Sequence, residues 1–310
     1  MGKIVVMGSF IQDMSVYTPA FPLDGQSVIA YELKMGLGGK GSNQATAARR
    51  FGADTVFIGK VGSDVFAENA RAHYREIGID SRYLFTSEDV STGVALITIH
   101  KERGENRIVV VVGANETLTP EEIDQAEEEI RTADVLLTQF ETNAPSVQEF
   151  LRLGRKYGKT IIVNPAPMQA MPEDVYQGID YVTPNETEAA VLAGMDEVKD
   201  LDDAREAARR ILARGCKAVL MTLGYHGSFF TDGTREIHVP PIKVKAVDTT
   251  GAGDTFNGAF AAAKAEGYDD ETAIRYATCM AGLSVTRPGA ANSVPTREET
   301  EAAYREHMNG

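Results

Sequence analysis

The stretch VLLTQFETNAPSVQEFLRLGRKYGKTIIVN (135–164) holds two short apolar runs, VLLTQF and TIIVN, on either side of a segment with helical periodicity. An apolar run with no polar face belongs to a strand covered on both sides. Two such strands joined by a helix make a βαβ unit, and its strands run parallel. Outward from this unit the rhythm repeats. IVVMG (4–8), TVFIGKV (55–61), YVTPN (181–185) and AVLMTLG (218–224) read as further buried strands. Helices are expected at 41–51, 64–77, 120–131, 144–157, 186–193 and 202–214, and at 251–265, 270–285 and 296–308 after the last strand. The fold class is therefore α/β: a doubly wound, mainly parallel sheet flanked by helices, in one domain spanning 1–310.

Two regions break the rhythm. Residues 14–36 hold a Pro/Gly-rich turn between extended pieces, and 91–112 read as two strands joined by the charged turn KERGEN. Together they predict a small second sheet that extends from the main domain. Such an appendage needs a use, as a lid or an interface.

The chain has 310 residues, 31 Lys and Arg against 45 Asp and Glu, and a formal charge of −14. That balance argues against nucleic acid or an anionic membrane as partner, because phosphate backbones require a basic footprint. No run approaches the ~20 apolar residues of a membrane helix, and the apolar run at the N-terminus is too short for a signal sequence. Cys216 and Cys279 have no metal or disulfide spacing, which suits a reducing cytosol. The histidines His73, His100, His226, His238 and His307 are scattered and read as surface or structural residues. A cytoplasmic protein is expected.

In an open α/β sheet, ligands bind beyond the carboxyl ends of the strands. The residues there are Asp13, Glu141, Asn164, Asn185, Thr222 and Gly224. Two glycine-rich stretches add to them. GLGGKGSNQA (36–45) contains G-x-G-x-x-G, but it does not directly follow the first buried strand, and Asp54 precedes its strand instead of ending it. A dinucleotide fingerprint requires both features. It is not a phosphate-binding P-loop either, because Lys40 is followed by Gly41. What remains is a glycine turn opening a helix and carrying Lys40, Ser42 and Asn43. The second stretch, DTTGAGDTFNG (248–258), also opens a helix. Its first N–H groups lack helical partners, and the helix dipole adds positive charge there. An acid beside such an anion site, Asp254, makes sense where a hydroxyl loses a proton while attacking a phosphoryl group. Capping the helix is the plainer role for Asp254.

These two stretches resemble the signatures of the ribokinase (PfkB) family of carbohydrate kinases. NPAP (164–167), TPNETE (183–188), TLGYHG (222–227) and VTRPGAANSVP (285–295) match as well, so the resemblance covers essentially the whole chain. It implies Asp254 as catalytic base with Gly251, Ala252 and Gly253 as anion hole. It implies Asp13, Gly39, Lys40, Asn43 and Glu141 as sugar-binding residues. Asn185 and Glu188 would organise Mg²⁺ through water and the nucleotide phosphates; Thr222, Gly224 and Gly227 would lie along ATP, with Thr278 near the adenine. A K⁺ site would use Asp248, Thr250, Ser284, Arg287, Gly289 and Ser293, mostly through backbone oxygens. The implied reaction is ATP-dependent phosphorylation of D-ribose at its 5-hydroxyl, in a homodimer joined through the lid sheet.

One departure concerns GSFIQDM (8–14), where Ile11 stands at a position that is often Asn in the family. Related kinases of 2-deoxyribose carry an apolar residue there. A site that hydrogen-bonds a hydroxyl rejects analogues lacking it more strongly than an apolar site does. Kinases of 2-deoxyribose, fructose, a nucleoside or another sugar are the alternatives. A sugar-binding or regulatory protein on the same scaffold is a further one, and a dinucleotide-dependent oxidoreductase is not expected.

Overall fold

The computed structural model describes residues 1–169 and 171–308. Its larger sheet has nine strands. Seven are parallel, in the order β11 (Ala218–Thr222), β10 (Tyr181–Val182), β9 (Thr160–Asn164), β8 (Val135–Gln139), β1 (Lys3–Met7), β4 (Asp54–Gly62) and β5 (Asp80–Ser87). Beyond β11, β12 (Ser228–Thr231) and β13 (Glu236–Val239) add an antiparallel edge. The smaller sheet is β3 (Glu32–Gly38), β2 (Ile11–Thr18), β6 (Gly93–His100) and β7 (Asn106–Val111), in that order. In it β2 and β6 are parallel and the outer pairs antiparallel.

Strand β1 shows why both faces of the large sheet are covered. Ile4 and Val6 point into one apolar layer, with Ala47 and Phe51 of α1 (Lys40–Phe51) and Phe260 and Ala262 of α8 (Ala252–Ala265). Val5 and Met7 point into the other, with Phe150 and Leu151 of α5 (Ala144–Lys156) and Ile211 of α7 (Leu201–Leu212). A strand buried on both sides is apolar along most of its length, and each fully buried Leu, Ile or Phe contributes about 1.5–3 kcal/mol. Helix α5 follows the same logic. Asn143 caps it by accepting from the Ser146 N–H at 3.0 Å, and its apolar stripe faces the sheet. The remaining helices are α2 (Val65–Ile77), α6 (Glu186–Ala193), α9 (Asp270–Ser284) and α10 (Arg297–His307), with two short ones before β8.

Three expectations require correction. The helix expected over 120–131 is two pieces, Pro120–Asp124 and Glu127–Thr132, broken at Gln125 and Ala126. The strand YVTPN shortens to Tyr181–Val182, because Pro184 has no N–H to donate; one bridge, Asn185 to Thr222, continues the line. Strands β5, β12 and β13 were not expected at all. They lie at the sheet's edges, where a near-continuous apolar run is not required. Among the described residues, no helix is long and apolar enough to cross a membrane.

Candidate active site

Two close backbone approaches bring the functional stretches together. A Cβ on Gly41 would lie 2.6 Å from Gly8 and Ser9 backbone atoms, and the Ser42 N–H donates to Ser9 O at 2.8 Å. This seats the start of α1 over the carboxyl end of β1. A Cβ on Gly258 would lie 2.3 Å from Gln44 O, so α8 packs against α1 nearly backbone to backbone. The first turns of the two helices consequently stand side by side.

Asp254 sits in the first turn of α8 and is buried. Its Oδ2 accepts from Asn43 Nδ2 at 3.0 Å and its Oδ1 from Gln44 Nε2 at 3.0 Å. No side chain caps α8, whose start is Gly251 in the left-handed region at φ 73°. The capping role for Asp254 is therefore set aside: the acid bonds to α1, across the helix pair. The Ala252 N–H turns back to Thr249 O at 3.2 Å, and the helical ladder begins with the Thr255 N–H on Gly251 O. Gly253 has open space where a Cβ would be. A ligand can approach the backbone of this turn closely, as anion binding at a helix start requires.

A second acid, Asp13, lies on β2 opposite Gly36. A Cβ on Gly38 would come within 2.6 Å of both Asp13 carboxylate oxygens, so the carboxylate rests on a strand stripped of side chains. Burial, then the charges of Glu141 and Asp254, push its pKa up to about 6. Glu141 follows β8. Its Oε2 accepts from the Ser9 hydroxyl and from the Lys40 N–H at 2.8 Å, yet burial still holds its pKa above the usual carboxylate range. Burial lowers the affinity of the Lys40 ammonium for its proton, but Asp254, Glu141 and Glu188 outweigh it, and the net shift is upward. The structure thus brings Asp13, Lys40, Asn43, Glu141, Glu188 and Asp254 into one cluster from five elements. The Asn43 Oδ1 is buried without a partner.

Asn185 and Glu188 form a capping box at the start of α6. Asn185 Oδ1 accepts from the Glu188 N–H at 2.8 Å, and Glu188 Oε2 accepts from the Asn185 N–H at 2.9 Å. Burial raises the Glu188 pKa. The bridge from Asn185 to Thr222 carries the site to the turn 222–227, where Gly224 and Gly227 have φ 46° and 84°. A Cβ on Gly227 would lie 2.1 Å from Val239 O, which excludes any other residue. Thr278 stands apart on α9, its buried Oγ1 without a partner. Asp248 links two loops: its Oδ1 accepts from the Thr250 N–H at 2.9 Å and its Oδ2 from the Gly289 N–H at 2.8 Å. Burial opposes ionisation here, but these bonds keep the Asp248 pKa below its ordinary value. Ser284 and Ser293 turn their hydroxyls to Ala281 O and Ala290 O at 2.8 Å, and the Arg287 guanidinium pairs with Glu299.

Three side chains in the site had no role assigned from sequence: Ser9, Gln44 and Gln139. Gln139 was visible as a polar end to the apolar run VLLTQ, and Gln44 as the last polar residue of GLGGKGSNQA. Asn164, at the end of β9, accepts from Gln44. Of the histidines, His73 is buried against the Thr46 hydroxyl at 2.9 Å, a structural contact.

A doubly wound sheet places a carboxylate cluster beside an open helix start, beyond the strands' carboxyl ends. The pfkB carbohydrate kinase family profile matches residues 1–297. A ribokinase of Haemophilus influenzae is 38% identical over 297 residues, covering 96% of each chain. A deoxyribokinase of Salmonella typhi is 36% identical over the same length, also at 96% of each. The solved ribokinase of Arabidopsis thaliana complexed with ribose and ATP superposes with a TM-score of 0.92 at 32% identity, covering 98% of this chain and 99% of that one. The chain belongs to the pfkB family of carbohydrate kinases.

Proposed function

We propose that this chain transfers the γ-phosphoryl group of ATP to the 5-hydroxyl of D-ribose, forming D-ribose 5-phosphate and ADP. The observation that carries the reading is the placement of Asp254: an acid in the first turn of α8, held from α1 and not used as a cap. Asp254 takes the proton of the 5-hydroxyl as the O5–P bond forms and the bond from phosphorus to the β-phosphate oxygen breaks. The open start of α8, from Gly251 through Ala252 to Gly253, receives the charge on the transferring group. Asp13, Lys40, Asn43 and Glu141, with the backbone of Gly39, hold the sugar. The unpartnered Asn43 Oδ1 fits this role, because a hydroxyl would donate to it.

ATP lies along Thr222, Gly224 and Gly227, with its base toward Thr278, whose lone hydroxyl fits a polar base edge. The half-buried Glu188 carboxylate with Asn185 suits a hydrated divalent cation, and Mg²⁺ bound there would neutralise charge on the nucleotide phosphates. The loops joined by Asp248 suit K⁺ held by backbone oxygens of Thr250, Ser284, Arg287, Gly289 and Ser293; the Arg287 side chain, paired with Glu299, takes no part. Exchanging K⁺ for Na⁺ or choline should lower turnover severalfold, and indifference to the exchange would remove this site.

The small sheet closes over the sugar and excludes water. Leu33 and Met35 of β3, Leu96 of β6 and Val109 and Val111 of β7 are exposed on one face of the small sheet, the face away from Asp13. An exposed apolar sheet face of this kind is covered in a homodimer through the small sheet; a monomeric mass at micromolar concentration would overturn this. Two free buried cysteines accord with a cytoplasmic protein.

2-Deoxyribose is the second reading, and Ile11 favours it. Ile11 lies two residues before Asp13 on the same face of β2 and is only 3% exposed. The test of both is ADP formation with Mg-ATP and K⁺ across D-ribose, 2-deoxy-D-ribose, D-fructose and nucleosides, compared as kcat/KM. Preference for ribose supports the first reading. Equal or better use of 2-deoxyribose makes Ile11 the specificity residue, and Ile11→Asn should then shift preference toward ribose by about tenfold, the worth of one hydrogen bond.

A further inference from the structure

Behind Asp254 runs a chain of side-chain amides that the roles above do not use. Gln44 is wholly buried. Its Nε2 donates to Asp254 Oδ1 and to Asn164 Oδ1, both at 3.0 Å, and its Oε1 accepts from Gln139 Nε2 at 2.7 Å. Asn164 Nδ2 in turn donates to Thr183 O at 2.8 Å. Each amide fixes the next. Anchored on a backbone carbonyl, Asn164 must present its oxygen to Gln44, and Gln44 must answer with its NH₂ group. A flipped Gln44 would set its oxygen against two acceptors and its NH₂ against the Gln139 donor. Gln139 is itself wedged against Gly8, where a Cβ would lie 2.1 Å from its Oε1.

The two oxygens of Asp254 are therefore unlike. Oδ1 meets a fixed, neutral donor from a fully buried residue. Oδ2 meets Asn43, whose own carbonyl oxygen has no partner. The charged groups that act on Asp254 are Lys40 on α1, Asp13 on β2, Glu141 after β8 and Glu188 on α6. Gln44 differs from all of them: it donates without titrating, so its hold does not change with pH.

We propose that Gln44, locked by Gln139 and Asn164, is the positioning residue of the site: it pins Oδ1 of Asp254 so that Oδ2 faces the hydroxyl to be deprotonated. The proposal rests on the reading of Asp254 as base. It extends the machinery to residues that touch neither sugar nor nucleotide.

Two variants test it. Gln44→Met keeps the length and removes the donor. Gln44→Glu places a second carboxyl group where the donor now stands, and two carboxyl groups at that distance share a proton. For Gln44→Met, kcat should fall roughly 10- to 100-fold, the worth of a hydrogen bond to a charged group, while the sugar KM stays within about threefold. The acidic limb of its rate–pH profile should move to higher pH, because a carboxylate that loses a donor holds its proton more tightly. Gln44→Glu should lose at least as much. A merely structural role would lower Tm and leave the limb unmoved, and that result overturns the proposal. Where Gln44→Met does not fold, Gln139→Met takes away the donor to Gln44 Oε1, loosens its hold and should shift the limb in the same direction by less. A crystal structure of Gln44→Met requires no turnover: Asp254 should leave its present rotamer, and an unmoved carboxylate overturns the proposal. Wild-type inactivity on every sugar would instead sink the kinase reading, with the orientation of Asp254 still decided by that structure.

Discussion

Asp254→Asn should lower turnover by about two to four orders of magnitude, the range that a positioned general base contributes, and leave sugar affinity within a few-fold. The side chain keeps its shape, and one oxygen can still accept from Gln44. What goes is the lone pair that, in the proposed reaction, takes the hydroxyl proton. The new NH₂ group also faces the Asn43 donor, which adds a local mismatch across the 3.0 Å contact. Single-turnover ADP formation together with calorimetric sugar binding separates the two effects. Turnover near the wild-type rate would remove Asp254 as the base. Intact turnover with lost binding would make it a sugar ligand only.

Asp13→Asn should weaken the sugar and strengthen the free protein. A carboxylate that accepts hydroxyl hydrogen bonds contributes about 1.5–3 kcal/mol per charged bond, so sugar KM should rise at least roughly tenfold. Stability should move the other way. The folded pKa is raised, from 3.8 to about 6, so the native state holds this proton more tightly than the unfolded chain does. Below pH 3.8 both states are protonated and the group is neutral to stability. As pH rises from there through about 6, the native state is progressively penalised. At pH 7 the penalty is on the order of 2–3 kcal/mol, from about two pKa units. Asparagine carries no such penalty. Melting curves of both proteins at pH 4 and pH 7, without sugar, should show a variant several degrees more stable at pH 7 and nearly equal to wild type at pH 4. Equal melting at pH 7 would show that the crowded acids do not strain the empty site. The wild-type sugar KM should also rise as pH falls below about 6, where Asp13 gains its proton.

The opposite signs in these variants share one origin. Asp13, Glu141 and Asp254 are drawn together in a buried space, and Lys40 is the cation among them. Such an arrangement is poor for folding, and under the proposed function the hydroxyls of a polyol would satisfy the carboxylates. Function and stability compete here through electrostatics, not through packing.

Much of this protein was legible in local stretches. The run VLLTQ, the helix after it and TIIVN state a βαβ unit within thirty residues, because burial on both faces leaves a strand few polar positions. The helix starts near Ala144, Glu186 and Gly251 were equally readable, since caps and positive φ are decided by neighbours in the chain. Asp254 was visible as an acid where an anion should bind. What it bonds was not. The bonds from Asn43 and Gln44 to Asp254 span 211 and 210 residues, and that from Gln139 to Gln44 spans 95. Strand β5 carried no apolar signature, because an edge strand is only half covered, and the break at Gln125 follows from how two short helices settle on α5 and β1. Sequence alone determined the class of fold, the alternation of its central strands and helices, and the residue types at those strands' ends. Tertiary structure decided which of those residues meet, because a side-chain hydrogen bond depends on ångström-scale separation between distant elements, and only the close packing of α1 on α8 through Gly258 sets that separation.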